Sequence, residues 1–410
     1  MPRVPAAVAT DWTDSTPSDF RSQVRAWFEA YAPAKGSPDD FSSVHIVSAS
    51  TAEEYRARER HAVEVTRGWQ RALFEAGLAG RSWPIEYGGQ GALHWQDEIV
   101  ADEQARFGVS TKMFAVSLEM LPPVLFAYGT DSQRRAHLPR VVRGEEIWCQ
   151  LLSEPDAGSD LGSARTAAQP VDGGWLINGQ KVWTSGAGGA DHALLIARTD
   201  QTVTGGAGLS CVALDMSAPG VQVRPLRQMS GGYHFNEVFL TDVFVPSEGL
   251  IGDLGGGLAI LRTMLSSERA AIGGGTSARS AAQLIALVRQ LGTSADPVVR
   301  QTVAAAVIRE RILDLVVSRV GAGADVPAGG PVSKLLYSEH ARLTAEAATT
   351  LLGDAATLTG DQVSAPWVDR LLFAPGLRIG GGTDEIQRNT IAERGLGLPR
   401  EPRPTSAPGR

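Results

Sequence analysis

Cysteine is almost missing from this 410-residue chain: there are two, Cys149 and Cys211, in neither a metal-type nor a redox-type spacing. That excludes a disulfide framework and suits a reducing compartment, so a cytoplasmic protein is expected. Long hydrophobic runs are missing too. None approaches the roughly 18 residues of a membrane span. The apolar patch at residues 4–9 is too short for a signal-peptide core, so no membrane partner is expected. Positive charge is in deficit: 38 Lys and Arg face 45 Asp and Glu, net charge −7, and no Lys/Arg-rich run appears. A nucleic-acid partner is therefore not expected. No Gly-x-Gly-x-x-Gly follows a strand pattern, which excludes a Rossmann crevice for any dinucleotide. No solenoid repeat is visible. The seven histidines show no metal spacing along the chain. His94, His192 and His234 read as structural or surface residues, and no metal is expected.

What is present is an ordinary globular composition, 43% hydrophobic and 20% charged, in a chain long enough for two or three structural units. Thr16 can cap a helix whose first position is Pro17, and Asp19 favours its positive end. Phe20, Val24, Trp27, Phe28 and Tyr31 then recur at helical spacing until Pro33, Gly36 and Pro38. Residues 52–76 predict a long helix with Val63, Trp69, Leu73 and Phe74 inward and its Arg and Glu outward, closed by Gly77. Trp-Pro-Ile-Glu-Tyr-Gly-Gly at 83–89 predicts a loop. Further helices are predicted at 97–107, at 113–128 broken by Pro122 and Pro123, and at 131–142. After Trp148 the period changes to 2. The turn signal Asp172-Gly173-Gly174 predicts a hairpin, and apolar runs at 193–197, 209–214, 221–223 and 238–245 predict strands ended by Pro246. Helices return at 258–272, 276–291, 297–319, 331–352 and 384–394, with a loose segment at 321–330. The result is an α+β chain: a helical domain at 1–147, a β domain at 148–252, a helical domain at 253–400 and a tail at 401–410. Residues 1–14 read as a second mobile tail.

The most informative stretch is 150–185. It opens Gln-Leu-Leu-Ser-Glu-Pro-Asp-Ala-Gly-Ser-Asp (150–160), loop chemistry in which Ser153 and Ser159 can hydrogen-bond locally and Gly158 frees the backbone. It closes Ile-Asn-Gly-Gln-Lys-Val-Trp-Thr-Ser (177–185), which sets the indole of Trp183 beside the hydroxyls of Thr184 and Ser185. An aromatic face beside short donors suits a flat heterocycle; a polar loop and a hairpin with a core Trp is the plainer reading. Farther on, Leu261, Met264, Leu265 and Ile272 form one helical stripe, and Glu268 falls inside it. A carboxylate there is costly unless it is paired or used, and burial raises its pKa toward that of a general base. A buried pair with an Arg of another helix is the alternative. Finally, three glycines at 380–382 lead to Thr383, a capping residue, with Asp384 and Glu385 in the first turn; amides there can bind an anion or the polar edge of a ligand.

These stretches, with Leu-Ser-Ser-Glu-Arg at 265–269 and Gly-Leu-Gly-Leu-Pro at 395–399, resemble the acyl-CoA dehydrogenase family, in the family's order and over nearly the whole chain. The resemblance implies a bacterial FadE-like member with an N-terminal helical domain, a central β-barrel or sandwich and a C-terminal helical bundle. It implies non-covalent FAD, held by Gln150, Leu152, Ser153, Gly158, Ser159, Trp183, Thr184, Ser185, Thr383 and Glu385, with Ser185 at the place of a hydroxyl on flavin N5. It also implies an acyl-CoA substrate that loses an α-proton to a glutamate and a β-hydride to flavin N5. In most members that glutamate directly precedes the Gly-Thr of the C-terminal motif, where this chain has Gly381. In the isovaleryl-type branch it belongs to a Glu-Arg pair on an earlier helix, which Glu268 and Arg269 match. Glu268 is therefore the expected base and Gly381 the vacated place. Gly382 would lie near the thioester, Ser159 would also touch substrate, and Arg269 would face CoA. The Arg-x-x-Phe-Gly pattern that reaches a neighbouring subunit's flavin is reduced to Arg289-Gln-Leu-Gly292, so Arg289 is its only candidate. An electron-transfer flavoprotein as acceptor and a homotetramer, or a heterotetramer with a related chain, are also implied. Two alternatives stand beside this reading: a flavin-dependent monooxygenase of the same fold, and a non-catalytic partner subunit of a heteromeric dehydrogenase. The acyl group is not legible.

Overall fold

The computed structural model describes Trp12 and residues 16–42, 49, 51–274, 280–321, 326–358 and 361–400, without the side chains of 266–274 and 321. Two compact units emerge, Met1–Met264 and Leu265–Arg410.

The first unit begins with five helices: α1 (Pro17–Tyr31), α2 (Ala52–Glu75), α3 (His94–Gln104), α4 (Leu121–Tyr128) and α5 (Asp131–Val142). The Thr16 side chain accepts from the Asp19 amide at 3.2 Å, and Phe20, Val24, Trp27 and Phe28 are buried against Trp69 and Leu73 of α2. Several expectations need correction. Trp12, placed by its sequence in a mobile tail, is buried: its indole N–H donates to the Ala76 carbonyl at 2.9 Å and its ring meets Phe20 edge-on. Burial of so large an aromatic outweighs the polar composition around it. Glu59, expected outward on α2, is buried, with the Tyr55 hydroxyl 3.5 Å away. Its stretch of α2 lies over the turn Ala187–Gly189, where a β-carbon added to Gly188 would come within 2.9 Å of the Glu59 carboxylate. Pro122 and Pro123 do not break a helix. They occupy the first turn of α4, which needs no amide donors there, behind a π-turn at Val116–Met120. Helix α3 starts and stops earlier than expected, and Phe107 leaves it to stack on Phe28 at 5.5 Å.

The same unit continues as one mixed eight-stranded sheet: β1 (Trp148–Leu151), β2 (Ala167–Val171), β3 (Gly174–Ser185), β4 (His192–Arg198), β5 (Leu209–Asp215), β6 (Val221–Leu226), β7 (Phe235–Pro246) and β8 (Leu250–Ile251). The order is β6-β7-β3-β2-β4-β5-β8, with β1 parallel to β4. The hairpin β2–β3 closes at Val171 and Gly174, and Gly173 takes the φ of +76° that its turn requires. Ile177, Leu195, Val212, Val238 and Val243 fill the sheet's core, and Cys149 and Cys211 are buried.

The second unit is helical. Helix α6 (Gly257–Gly274) runs through the boundary; α7 (Ala281–Gln290), α8 (Pro297–Gly321), α9 (Gly329–Leu352), α10 (Ala365–Ile379) and α11 (Asp384–Thr390) follow, the last continued by a π-turn at Ile391–Gly395. Leu284, Leu287, Ala306, Ala348 and Trp367 pack together. Helix α10 is missing from the sequence reading because it carries Pro375 and Gly376 inside, a pair that normally marks a break. Residues 276–279 of the expected second helix, 322–325 of the loose segment and the tail 401–410 lie outside the described residues.

Candidate active site

The loop 152–160 and the end of β3 are fastened to each other by a buried ion pair. Lys181 keeps the inward alternation of Trp175 and Ile177 along β3, because the register shift at Ile177/Gly179 places its extra residue on β7, and its side chain is 0% exposed. Its ammonium donates to the Leu152 carbonyl and to Glu154 Oε1, both at 2.9 Å. Glu154 also accepts from the amides of Thr166 (2.8 Å) and Arg165 (2.6 Å). Burial pushes the Glu154 carboxyl up, but the Lys181 charge and these donors outweigh it, and its pKa lies below the usual value. Burial pulls the Lys181 ammonium down against the attraction of Glu154. Glu154 and Ala157 exchange backbone bonds around Pro155 and Asp156, a tight turn that leaves Gly158 and Ser159 exposed. Gly158 has open space where a β-carbon would stand.

Two residues past Lys181 the β3–β7 register shifts again, between Lys181 and Thr184. Trp183 stands inside that bulge with φ +63°, a left-handed backbone rare for a bulky residue, and 60% of it is exposed. Such a conformation costs about 1–3 kcal/mol and marks a place where a side chain is being aimed. Phe235 braces the indole edge-on, ring centres 5.9 Å apart. The Val182 amide donates to the Ser153 carbonyl at 2.9 Å, so the loop joins β3 directly before the indole. Asn236 Nδ2 donates to the Thr184 carbonyl at 3.1 Å, whereas the Thr184 hydroxyl is buried and has no partner. Ser185 is exposed.

The structure therefore brings Leu152 and Ser153 against the strand that carries Trp183, Thr184 and Ser185. Gln150 belongs to β1 rather than to a loop, a correction; Leu151 beside it faces the sheet core, and the buried Oε1 of Gln150 has no partner. An exposed indole face, open space at Gly158, exposed hydroxyls at Ser159 and Ser185 and two unpartnered polar atoms fit a flat, polar-edged ring such as a flavin.

In the second unit, Gly381 and Gly382 take φ of +66° and +88° and hand the chain to Thr383, whose side chain accepts from the Ile386 amide at 3.2 Å. Gln387 Nε2 donates to the carbonyls of Gly381 (2.9 Å) and Gly382 (3.2 Å). Asp384, expected merely to favour the helix start, is buried and accepts from Lys334 Nζ, Ser338 Oγ and Arg378 Nε, each at 2.8 Å. Burial raises the Asp384 carboxyl, and these three donors overcome that and lower it. Glu385 is exposed, as is Arg289 on α7. On α6, Leu261 and Met264 are buried as the stripe predicts. Glu268 and Arg269 lie on that helix, but their side chains are outside the described residues.

Sequence reasoning missed both buried ion networks. Lys181 carried a signal, since its alternation with Ile177 pointed it inward. Lys334 carried none, because its partner Asp384 is 50 residues away. It also missed a cluster of His137, Glu146 and His192, whose ligand-type atoms lie within 4.8 Å of one another. These residues come from separate elements, so their spacing along the chain could not reveal it.

Comparison with known proteins fits this arrangement. Sequence profiles of the acyl-CoA dehydrogenase N-terminal, middle and C-terminal domains match residues 41–145, 149–243 and 255–396. The chain belongs to the acyl-CoA dehydrogenase family. It is thus an oxidoreductase acting on acyl-CoA, in a family of flavoproteins whose general cofactor is FAD. The acyl-CoA dehydrogenase IpdE1 of Mycobacterium tuberculosis (strain ATCC 25618 / H37Rv) is 35% identical over 388 residues, 93% of this chain and 98% of that protein. A solved structure of the Tcur3481-Tcur3483 steroid ACAD is 26% identical, covers 96% of this chain and 100% of that one, and has a TM-score of 0.76. The ChsE4-ChsE5 complex from Mycobacterium tuberculosis is 25% identical, with 96% and 100% coverage and a TM-score of 0.71. Among the described residues no helix is long and apolar enough to cross a membrane.

Proposed function

We propose that this chain introduces an α,β double bond into an acyl-CoA whose acyl part is steroid-derived, with FAD as cofactor. The observation that carries the cofactor assignment is Trp183, a large exposed aromatic held in a left-handed bulge beside the Ser153 loop. The likeness to a steroid acyl-CoA dehydrogenase supports the acyl class. When bound, FAD supplies the two-electron acceptor for the β-hydride. The protein's own residues do the rest. Glu268 takes the α-proton, which requires a carboxylate within hydrogen-bond reach of the α-carbon and a pKa raised toward neutrality. Trp183 would cover the ring system, while Gln150, Leu152, Ser153, Gly158, Ser159, Thr184 and Ser185 would hold its polar edges. Thr383 and Glu385 contribute further flavin contacts. Gly381 and Gly382 give the thioester room, Arg269 faces the CoA moiety, and Arg289 serves a neighbouring subunit's flavin. An electron-transfer flavoprotein removes the electrons.

A paired assembly is part of the proposal, because two of the similar solved structures are described as two-chain proteins. The test is anaerobic mixing of the purified flavoprotein, alone and with a co-purifying related chain, with a panel of acyl-CoAs. Bleaching of the oxidised flavin band by steroid-derived thioesters, and not by straight-chain ones, is expected. Bleaching by straight-chain thioesters alone overturns the acyl assignment. Oxygen consumption driven by added reduced flavin, with no acyl-CoA oxidation, overturns the dehydrogenase reading.

A further inference from the structure

We propose that His137, Glu146 and His192 form a binding site for one divalent transition ion of the zinc class, separate from the flavin segments. The three residues come from three places in the first unit: His137 from α5, Glu146 from the connection between α5 and β1, and His192 from the start of β4. Glu146 is fully buried. Its Oε1 is 2.7 Å from His137 Nδ1 and accepts from the Trp148 indole N–H at 2.6 Å. Its Oε2 is buried and receives no hydrogen bond. His192 Nε2 stands 3.8 Å from that oxygen, too far to donate to it and too close to admit a water between them.

Two imidazole nitrogens thus converge on a buried carboxylate whose second oxygen accepts no hydrogen bond and is paired only with the Arg140 guanidinium. Four-coordinate zinc at about 2.0–2.1 Å from each ligand sets neighbouring donors about 3.3 Å apart. The present atoms lie within 4.8 Å of one another, so the widest separation closes by at most about 1.5 Å while the 2.7 Å His137–Glu146 contact opens. The ligand set, two His and one carboxylate with a position left over, suits zinc, cobalt or nickel and not magnesium or calcium. Trp148 orients both rings: it lies over His192 at 5.1 Å and 30°, and meets His137 edge-on at 5.0 Å and 89°. A cavity of about 320 Å³ adjoins the cluster at His192 and is lined also by Asp191, Asp215, Ala190, Met216 and Ser217. Both aspartates are held by other partners. Asp215 accepts from the Ser217 amide and hydroxyl, and Asp191 from the Ile147 amide and Arg67. Water is left as the fourth ligand.

One group competes. The guanidinium of Arg140 stands 3.2 Å from Glu146 Oε2, on a side chain that is 54% exposed. A dication displaces it outward, as a long, flexible, solvent-facing side chain allows. The bound ion would then tie the helical layer to the sheet and stabilise the unit by linkage.

The experiment uses untagged, full-length flavoprotein freed of metal by chelator. Zn²⁺ is titrated by calorimetry and Co²⁺ by visible absorption. One ion per chain, the intense bands of four-coordinate Co²⁺ and a higher unfolding midpoint are expected. His137→Gln and His192→Gln should each weaken binding by about tenfold or more, whereas Arg140→Ala should tighten it. Should the histidine variants not fold, the Co²⁺-loaded wild type decides: two paramagnetically shifted imidazole N–H resonances support the site, and their absence opposes it. No saturable binding, equal binding by both histidine variants, or weaker binding by Arg140→Ala overturns the proposal and leaves Glu146 as the centre of a hydrogen-bonded ion cluster.

Discussion

Lys181 holds the Leu152 carbonyl and the Glu154 carboxylate at the same distance, 2.9 Å, and so welds the 152–160 loop to the strand that carries Trp183. Removing the ammonium strands a buried carboxylate. Lys181→Met should destabilise the first unit by about 3–5 kcal/mol, as breaking a buried pair does. It should also release FAD. Thermal unfolding and flavin content after gel filtration check both effects; full flavin retention would mean that the loop holds its shape without the pair.

Trp183 separates strain from function. Trp183→Gly removes a left-handed penalty of about 1–3 kcal/mol. The apoprotein should melt at an equal or higher temperature, while FAD affinity falls by about tenfold from loss of the aromatic face. Apoprotein calorimetry and a flavin fluorescence titration measure the two separately. A variant that melts earlier and binds FAD as before would make the indole a packing residue only.

Glu268→Gln keeps the size of the side chain and removes its basicity. Flavin reduction by the best acyl-CoA should slow by about 10²–10⁴-fold in single-turnover stopped flow, with FAD content unchanged. An unaltered rate removes Glu268 from the mechanism.

Asp384 makes the second unit sensitive to acid. Its folded carboxyl lies below the ordinary 3.8 because Arg378, Lys334 and Ser338 donate to it. Between the folded pKa and 3.8 the unfolded chain holds more protons. Its stabilisation is therefore complete above that window and is lost as pH falls through it. Asp384→Asn leaves Lys334 buried without its charge partner and should cost about 3–5 kcal/mol near neutrality. It should also flatten the acid limb of a stability–pH profile.

Much of the fold was legible because local chemistry and tertiary packing agree. Thr16 and Thr383 cap the helices they precede, and Asp172-Gly173 makes its hairpin. Three of the misses share one cause. Trp12, Glu59 and Gln150 were read from their neighbours along the chain, whereas burial is decided by what packs from elsewhere, here Phe20, the Ala187–Gly189 turn and β4. Prolines misled in two ways: Pro122 and Pro123 open a helix they were expected to break, and Pro375 sits inside one that its sequence hid. The candidate site was proposed from the sequence as a set of residue types. Its fastening was not, since Lys181 to Glu154 and Lys334 to Asp384 join elements far apart in sequence.

The two thiols of the sheet carry a practical consequence. Cys149 and Cys211 are both buried, and burial pushes each pKa up to about 12. Almost no thiolate exists at neutral pH, and no reagent reaches the sulfur in the folded state. The native chain is in effect already a silent background for maleimide chemistry. A single cysteine engineered at an exposed position such as Ser185 would take a fluorophore alone, with neither native residue mutated first.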